Sequence, residues 1–241
     1  MARPVAHRGL HDARNGVIEN TPSAFTAAIE SGYGIECDLQ ISADGEAMVH
    51  HDEALGRLTE GEGRLDRMSA AALKRIAFRG TADRMMTLGE LCDLVAGRAT
   101  LVLELKSRHA ADRRLAVRTA GVLSGYRGPA AAMSFDPAQV EALRQVAARI
   151  PRGIVAERGY GRRRDAPPAG RARRSIAYVA HALRSRPQFL AYAFKDLPGT
   201  APWLARGILR LPLLTWTVRS EEDRRRAERY ADQIIFEGFR P

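Results

Sequence analysis

Two short strings place ionisable side chains two residues apart inside apolar sequence. Glu36 and Asp38 lie within GIECDLQI, and Glu104 and Lys106 lie within TLVLELK. Side chains alternate between the two faces of a strand, so each pair is expected on one face. Charged groups seldom enter such a core unless they pair or bind something. The three carboxylates form a candidate all-oxygen ligand set, which favours Mg²⁺ or Ca²⁺. The alternative is a set of salt bridges to arginines.

Two further strings supply groups for acid–base chemistry and for anion binding. His7 and His51 are candidates for the general acid and general base, because imidazole exchanges protons near neutral pH. Arg8 and Lys106 are candidates for neutralising phosphate oxygens. Together with the carboxylates, these groups indicate a metal-assisted phosphoryl-transfer site. Trp216, within TWTV, is a candidate wall for an apolar or glycerol-like group, with plain core packing as the alternative.

Strand-like runs alternate with helical ones along the whole chain, which predicts an α/β fold with a parallel sheet. About eight strands predict a single (β/α)8 TIM-barrel domain over residues 1–241, with a small insertion after the second strand at about 53–86. Residues 158–174 form an Arg/Gly/Pro-rich loop. Chemistry in such barrels sits at the carboxyl ends of the strands. The candidates that fall at or near those ends are His7, Arg8, Glu36, Asp38, Glu104, Lys106 and Trp216.

The composition restricts the class of protein. The chain has 241 residues and a formal net charge of +10, carried almost entirely by arginine. The arginines are spread along the chain with little aromatic interleaving, so we expect no nucleic-acid partner. A diffuse positive field still favours anionic small-molecule substrates. The sequence shows no apolar stretch long enough to cross a bilayer and no signal peptide, which predicts a cytoplasmic protein. Cys37 is expected to face a helix, opposite to its charged neighbours.

The motifs resemble those of the glycerophosphodiester phosphodiesterase family. The matching strings are AHRG at 6–9, ENTPSAF at 19–25, ECDLQISADG at 36–45, HHD at 50–52, LELK at 103–106 and TWTV at 215–218. Their order and spacing cover nearly the whole chain. The resemblance implies a (β/α)8 barrel that uses a divalent cation to hydrolyse glycerophosphodiesters to glycerol 3-phosphate and an alcohol. One departure is the last strand, which in the family usually ends in Thr-Asp and here continues as Phe236-Glu237.

Carried over by motif, the resemblance assigns each candidate a role. Glu36, Asp38 and Glu104 resemble the family's metal ligands, which would hold Mg²⁺ or Ca²⁺. His7 and His51 resemble its acid–base pair. Arg8 and Lys106 resemble its phosphate contacts.

Two other functions are compatible with the sequence. One is a lipid-directed phosphodiesterase of the lysophospholipase D or sphingomyelinase D type, in which the basic 158–174 segment contacts an anionic membrane. The other is a non-catalytic barrel that binds a phosphorylated ligand or nucleic acid. The pair formed by His7 and His51 argues against the second, because a binding protein needs no paired proton carriers.

Overall fold

The computed structural model describes residues 3–108, 112–158 and 184–241. The 158–174 segment, apart from Arg158, lies outside the described residues. Among the helices that are described, none combines the length and the apolar character that crossing a membrane requires.

Eight parallel strands close into a barrel. Around the barrel the order is β1, β2, β4, β5, β6, β7, β8 and β9, and β9 pairs with β1 to complete the circle. This arrangement confirms the predicted (β/α)8 fold. The nine strands are β1 (Val5–Ala6), β2 (Gly34–Ile41), β3 (Ala47–Val49), β4 (Leu101–Leu105), β5 (Ala130–Ser134), β6 (Arg152–Ala156), β7 (Phe189–Ala193), β8 (Leu213–Val218) and β9 (Gln233–Phe236).

The ninth strand, β3, is a hairpin partner rather than part of the circle. It runs antiparallel to the end of β2, with Leu39 opposite Val49. Because β1 pairs only with the start of β2, at Gly34 and Ile35, the end of β2 has a free edge that β3 occupies. The hairpin therefore carries the residues that follow β3 to the carboxyl end of the barrel.

Helices cover the outside of the barrel. The α-helices are α1 (Pro22–Glu30), α2 (Ala70–Leu73), α3 (Leu88–Val95), α4 (Arg114–Gly125), α5 (Pro137–Val146), α6 (Thr200–Trp203) and α7 (Glu221–Ala227). The described residues also include short 3-10 helices at Ala13–Asn15, Leu65–Arg67 and Phe194–Asp196 and a π-helical turn at Leu204–Ile208. Asp136 caps α5 through a bond from Ala138 N, and Pro137 occupies its first position, where a missing N–H costs nothing.

The strands separate two apolar layers. Odd-numbered residues of β2, including Ile35, Cys37 and Leu39, belong to the large layer between the barrel and its helices. The prediction that Cys37 faces a helix is confirmed, since Leu91 and Cys92 of α3 lie in the same layer. Strand alternation then turns the even-numbered residues of β2 towards the inside of the barrel.

The segment between β3 and α3 has a small apolar cluster of its own. Leu55, Leu65, Leu73, Phe78 and Met85 are buried together there. The cluster also includes Met48 of β3 and Ile18, which precedes α1. These contacts fix the segment to the carboxyl-end loops of the barrel.

Candidate functional site

Three buried carboxylates meet inside the barrel. Asp38 on β2 and Glu104 on β4 are register partners in adjacent parallel strands, and Glu36 lies one alternation earlier on β2. All three residues are buried. One oxygen from each carboxylate lies within 4.8 Å of the others. The structure thus brings together the three residues that the sequence proposed as metal ligands.

The electrostatics of this cluster are unequal. Burial, and then the charges of Asp38 and Glu104, raise the pKa of Glu36 well above its usual value. Burial also raises the pKa of Glu104, although Lys106 opposes the shift. For Asp38, burial favours the neutral acid, but Lys106 and Arg8 outweigh it and hold the pKa below its usual range. The three carboxylates also outnumber the two side-chain cations, Lys106 and Arg8, that lie against them.

One atom of the cluster has no protein partner. Glu36 Oε1 is buried and makes no hydrogen bond. A buried carboxylate oxygen without a partner is costly, and a cation bound beside it removes that cost. The donor set consists only of carboxylate oxygens, which are the ligands that Mg²⁺ and Ca²⁺ prefer. The residues therefore fit a hard divalent cation.

Lys106 and Arg8 face the cluster from two sides. Lys106 Nζ lies 2.8 Å from Asp38 Oδ1 and 2.6 Å from Glu104 Oε1. Arg8 Nε lies 3.2 Å from Asp38 Oδ2, and Arg8 Nη1 donates to Glu19 Oε1 at 2.7 Å. The two cations expected to bind phosphate are thus both held on the candidate metal ligands.

A tight turn after β1 places His7 and Arg8. Arg8 has φ of +56° and Gly9 has φ of +81°, so the chain passes through the left-handed region twice. A Cβ on Gly9 would lie 2.9 Å from the Ala24 backbone, so only glycine fits there. The turn directs Arg8 N to Glu36 Oε2 at 3.0 Å, which holds this carboxylate from the backbone.

A carboxylate holds the His7 ring. His7 Nδ1 lies 2.7 Å from Glu237 Oε2, and Nε2 lies 3.9 Å from Glu36 Oε2. Because a carboxylate only accepts hydrogen bonds, Nδ1 carries the proton and Nε2 is the atom turned to the cluster. Burial lowers the pKa of His7, although the bond to Glu237 opposes the shift. The same bond to His7 lowers the pKa of Glu237 to about 2.

The His51 ring is also held by a carboxylate, that of its neighbour Asp52. Its Nδ1 lies 2.7 Å from Asp52 Oδ1, and its carbonyl accepts a bond from Gln40 Nε2 at 2.8 Å. A cavity of about 430 Å³ opens beside it, and His51, Glu104 and Lys106 all line that cavity. His51 therefore shares this cavity with Glu104, one of the three buried carboxylates. The preceding residue, His50, is instead buried and turned towards Phe78.

Trp216 lies near the carboxyl end of β8. It packs edge to face on Phe135, with ring centroids 5.6 Å apart, and Phe135 lines the cavity. Both aromatic residues lie against the apolar layer inside the barrel. Contact between Trp216 and a substrate stays a prediction.

The structure adds three residues to which the sequence assigned no role. Asn20 has φ of +58°; its amide donates to Asp38 Oδ2 at 2.9 Å and accepts from Asp38 N at 3.2 Å. Glu237 holds His7, as described above. Arg57 contacts Glu19 and Asp52. Asn20 lies in the ENT string and Glu237 at a departure from the family pattern, so the sequence did contain a signal for those two.

The chain is similar in sequence to proteins of one known family. A sequence model of the Glycerophosphoryl diester phosphodiesterase family matches residues 7–236. A glycerophosphodiester phosphodiesterase of Caldanaerobacter subterraneus subsp. tengcongensis is 38% identical over 111 residues, covering 43% of this chain and 44% of that protein. One of Bacillus altitudinis is 32% identical over 120 residues, covering 47% and 48%. The matched part thus spans about half the length of these relatives.

Solved structures share the fold over almost the whole chain. An Oleispira antarctica phosphodiesterase, in complex with the product sn-glycerol-3-phosphate, is similar with a TM-score of 0.78 and 19% identity, covering 98% of this chain and 93% of that one. The glycerophosphodiester phosphodiesterase of Thermotoga maritima gives a TM-score of 0.73 and 24% identity, covering 98% and 95%. Because the family's sequence model matches residues 7–236, the chain belongs to the glycerophosphoryl diester phosphodiesterase family.

Proposed function

We propose that this protein hydrolyses glycerophosphodiesters to glycerol 3-phosphate and an alcohol, with a divalent cation as cofactor. The observation that carries the proposal is the cluster of Glu36, Asp38 and Glu104, whose oxygens lie within 4.8 Å of one another beside two carboxylate-held histidines. Family membership supports the reaction class. A salt-bridge role alone leaves Glu36 Oε1 without a partner.

The three carboxylates would hold Mg²⁺ or Ca²⁺, since both ions prefer oxygen donors. When bound, the cation supplies positive charge to a phosphate oxygen and lowers the barrier to attack. Arg8 and Lys106 are placed beside the same carboxylates, so both cationic groups would contact the remaining phosphate oxygens. Their partners on the protein hold them in place before the substrate arrives.

His7 and His51 would exchange the protons of the reaction at Nε2. In each ring a carboxylate accepts from Nδ1, which leaves Nε2 as the atom available to the substrate. One ring would accept the proton of the nucleophile and the other would donate to the oxygen of the departing alcohol. Separate histidines would therefore deprotonate the nucleophile and protonate the leaving alcohol oxygen.

The glycerol part would lie against the aromatic pair of Phe135 and Trp216. The related Oleispira antarctica protein was solved with sn-glycerol-3-phosphate, which supports a small-molecule phosphodiester as the substrate here. A cytoplasmic location stays a prediction from the sequence.

Release of glycerol 3-phosphate from a panel of glycerophosphodiesters tests the proposal. The purified protein is assayed with Mg²⁺, with Ca²⁺ and with EDTA. We expect release that depends on the added metal, and the panel ranks the alcohols in the same experiment. The matched variant Glu104→Gln should weaken the metal response, because it removes one anionic ligand. Absence of release with every alcohol and either metal would contradict the proposal.

A further inference from the structure

Arg57 joins two carboxylates that lie on different loops. Its Nη2 lies 2.7 Å from Glu19 Oε1, and its Nε lies 2.5 Å from Asp52 Oδ2. Glu19 precedes α1, whereas Asp52 follows β3, so one guanidinium connects two of the carboxyl-end loops. The side chain of Arg57 is 47% exposed, and its two partners are more buried, at 14% and 25%.

Each of these carboxylates also holds a residue of the candidate site. Glu19 Oε1 accepts from Arg8 Nη1 at 2.7 Å, and Asp52 Oδ1 accepts from His51 Nδ1 at 2.7 Å. The result is a continuous series of ion pairs from Arg8 through Glu19 and Arg57 to Asp52, and Asp52 in turn accepts a hydrogen bond from His51. If Arg57 is replaced, Arg8 and His51 are no longer connected through these contacts.

The backbone around Arg57 is anchored on both sides. Leu55 is buried in the apolar cluster of the segment after β3, and Leu58 packs against that cluster. Gly56 between them has φ of +116°, a conformation that favours glycine, and its N–H donates to Thr59 Oγ1 at 3.1 Å. A fixed backbone reduces the entropy lost when the long side chain is held in one geometry.

We propose that Arg57 is a positioning residue that sets His51 relative to the phosphate-binding Arg8. The inference rests on the proposed function, because it assigns a task to the same two groups. Arginine suits the task, since Nε and Nη2 belong to one rigid plane and bind two carboxylates in a fixed relation. An isolated surface ion pair would contribute little to either stability or activity, and that is the competing interpretation.

The first test compares two arginine variants. Arg57→Met should lower kcat for glycerol 3-phosphate release by about tenfold to a hundredfold, since small misplacement of a catalytic group is costly. Arg118→Met is the matched control: Arg118 is 45% exposed and binds both oxygens of Glu46 at 2.8 Å, on the face of α4. Its kcat should stay within about twofold. Equal kcat values for the two variants would overturn the inference.

A double-mutant cycle separates positioning from a general structural effect. If Arg57 acts through Asp52, Arg57→Met should reduce kcat no further, within about twofold, once Asp52→Asn is present. If the two losses of kcat multiply instead, Arg57 acts independently of Asp52 and therefore of His51, and the inference is wrong. Should Arg57→Met fail to fold, Arg57→Lys takes its place in the cycle. A lysine retains the charge but offers a single ammonium, so it should restore only part of the lost kcat.

A third measurement is independent of turnover. Long-range ¹H–¹⁵N NMR reports which ring nitrogen of His51 carries the proton, with the signal assigned by its loss in His51→Asn. We expect the Nδ1-protonated form to dominate in the wild type and to lose population in Arg57→Met, because Arg57 then no longer holds the Asp52 carboxylate in line with Nδ1. An unchanged ring would overturn the inference. A wild-type protein without any release of glycerol 3-phosphate contradicts only the proposed function, and the NMR result then decides the role of Arg57.

Discussion

At the scale of single residues, the two histidines are arranged alike although they come from distant parts of the chain. His7 follows β1 and is held by Glu237, and His51 follows β3 and is held by its neighbour Asp52. In both, a carboxylate fixes the ring through Nδ1 and leaves Nε2 free to exchange a proton. In the proposed reaction, a pair built in this way would supply one acid and one base.

Replacing either histidine should therefore remove catalysis and leave binding in place. We expect His7→Ala and His51→Ala each to lower kcat by about 10²–10⁴-fold, the usual contribution of general acid–base catalysis. The measurement is glycerol 3-phosphate release at saturating substrate, with metal binding checked separately by calorimetry. His50→Gln is the control, since His50 is buried against Phe78. Normal kcat in both alanine variants, with metal still bound, would remove these residues from the mechanism.

The sequence predicted those residues whose positions depend on local spacing. Glu36 and Asp38 lie two apart on one strand, and alternation alone places them on the same face. Contacts between distant parts of the chain were not predictable in this way. The bond from His7 to Glu237 spans 230 residues, and the pair of Arg57 and Glu19 spans 38. The first contact depends on barrel closure and the second on how two carboxyl-end loops meet, and neither is encoded by local spacing.

At the scale of elements, the strands were predicted better than the helices. A buried strand needs only a short apolar run, so LVLEL and GIECDLQI were recognisable at once. Within RMSAAALKRI, a stretch rich in helix-forming residues, the α-helix is limited to α2, Ala70–Leu73. Ser69 caps it, and the chain turns after Leu73, which is buried in the apolar cluster. Tertiary packing thus ends this helix at Leu73, although the following residues could extend it by their propensity alone.

The start of α3 gives a prediction at this scale. Thr87 Oγ1 accepts from Glu90 N at 3.2 Å, and Thr87 N donates to Glu90 Oε2 at 2.8 Å, which is a capping box. Thr87→Ala should lower the free energy of unfolding by about 1 kcal/mol, because one helical N–H loses its partner. Urea unfolding measures the change. Thr87→Ser keeps the hydroxyl and should remain within a few tenths of a kcal/mol of the wild type; an equal loss in both variants would contradict the capping argument.

At the scale of the whole molecule, the barrel closes through its first and last strands. Val5 of β1 pairs with Gly34 of β2 on one side and with Ile235 of β9 on the other. Closure brings Glu237, just beyond β9, to the residues that follow β1. The same closure buries ionisable groups, so stability and pH are linked for the molecule as a whole.

His50 makes this link measurable. The residue is buried beside Phe78, with ring centroids 6.0 Å apart, and its Nδ1 has no hydrogen-bond partner. Burial lowers the pKa of His50 from 6.5 to about 4. Asp52, Asp38 and Glu19 oppose the shift, whereas Arg57 reinforces it. At neutral pH the ring is therefore uncharged in the folded protein.

The direction of the pH dependence follows from that shift. Above pH 6.5 the ring is neutral in both the folded and the unfolded chain, so its contribution to stability is fully present. As the pH falls from 6.5 towards 4, the unfolded chain binds a proton that the folded protein does not, and stability decreases by about 3 kcal/mol in total. Urea unfolding between about pH 7.5 and about pH 4 should show this extra loss in the wild type and not in His50→Leu. All other titrating groups are common to both proteins, so the difference between the two pH profiles isolates His50. Parallel profiles would mean that the His50 ring titrates in the folded barrel as it does in water.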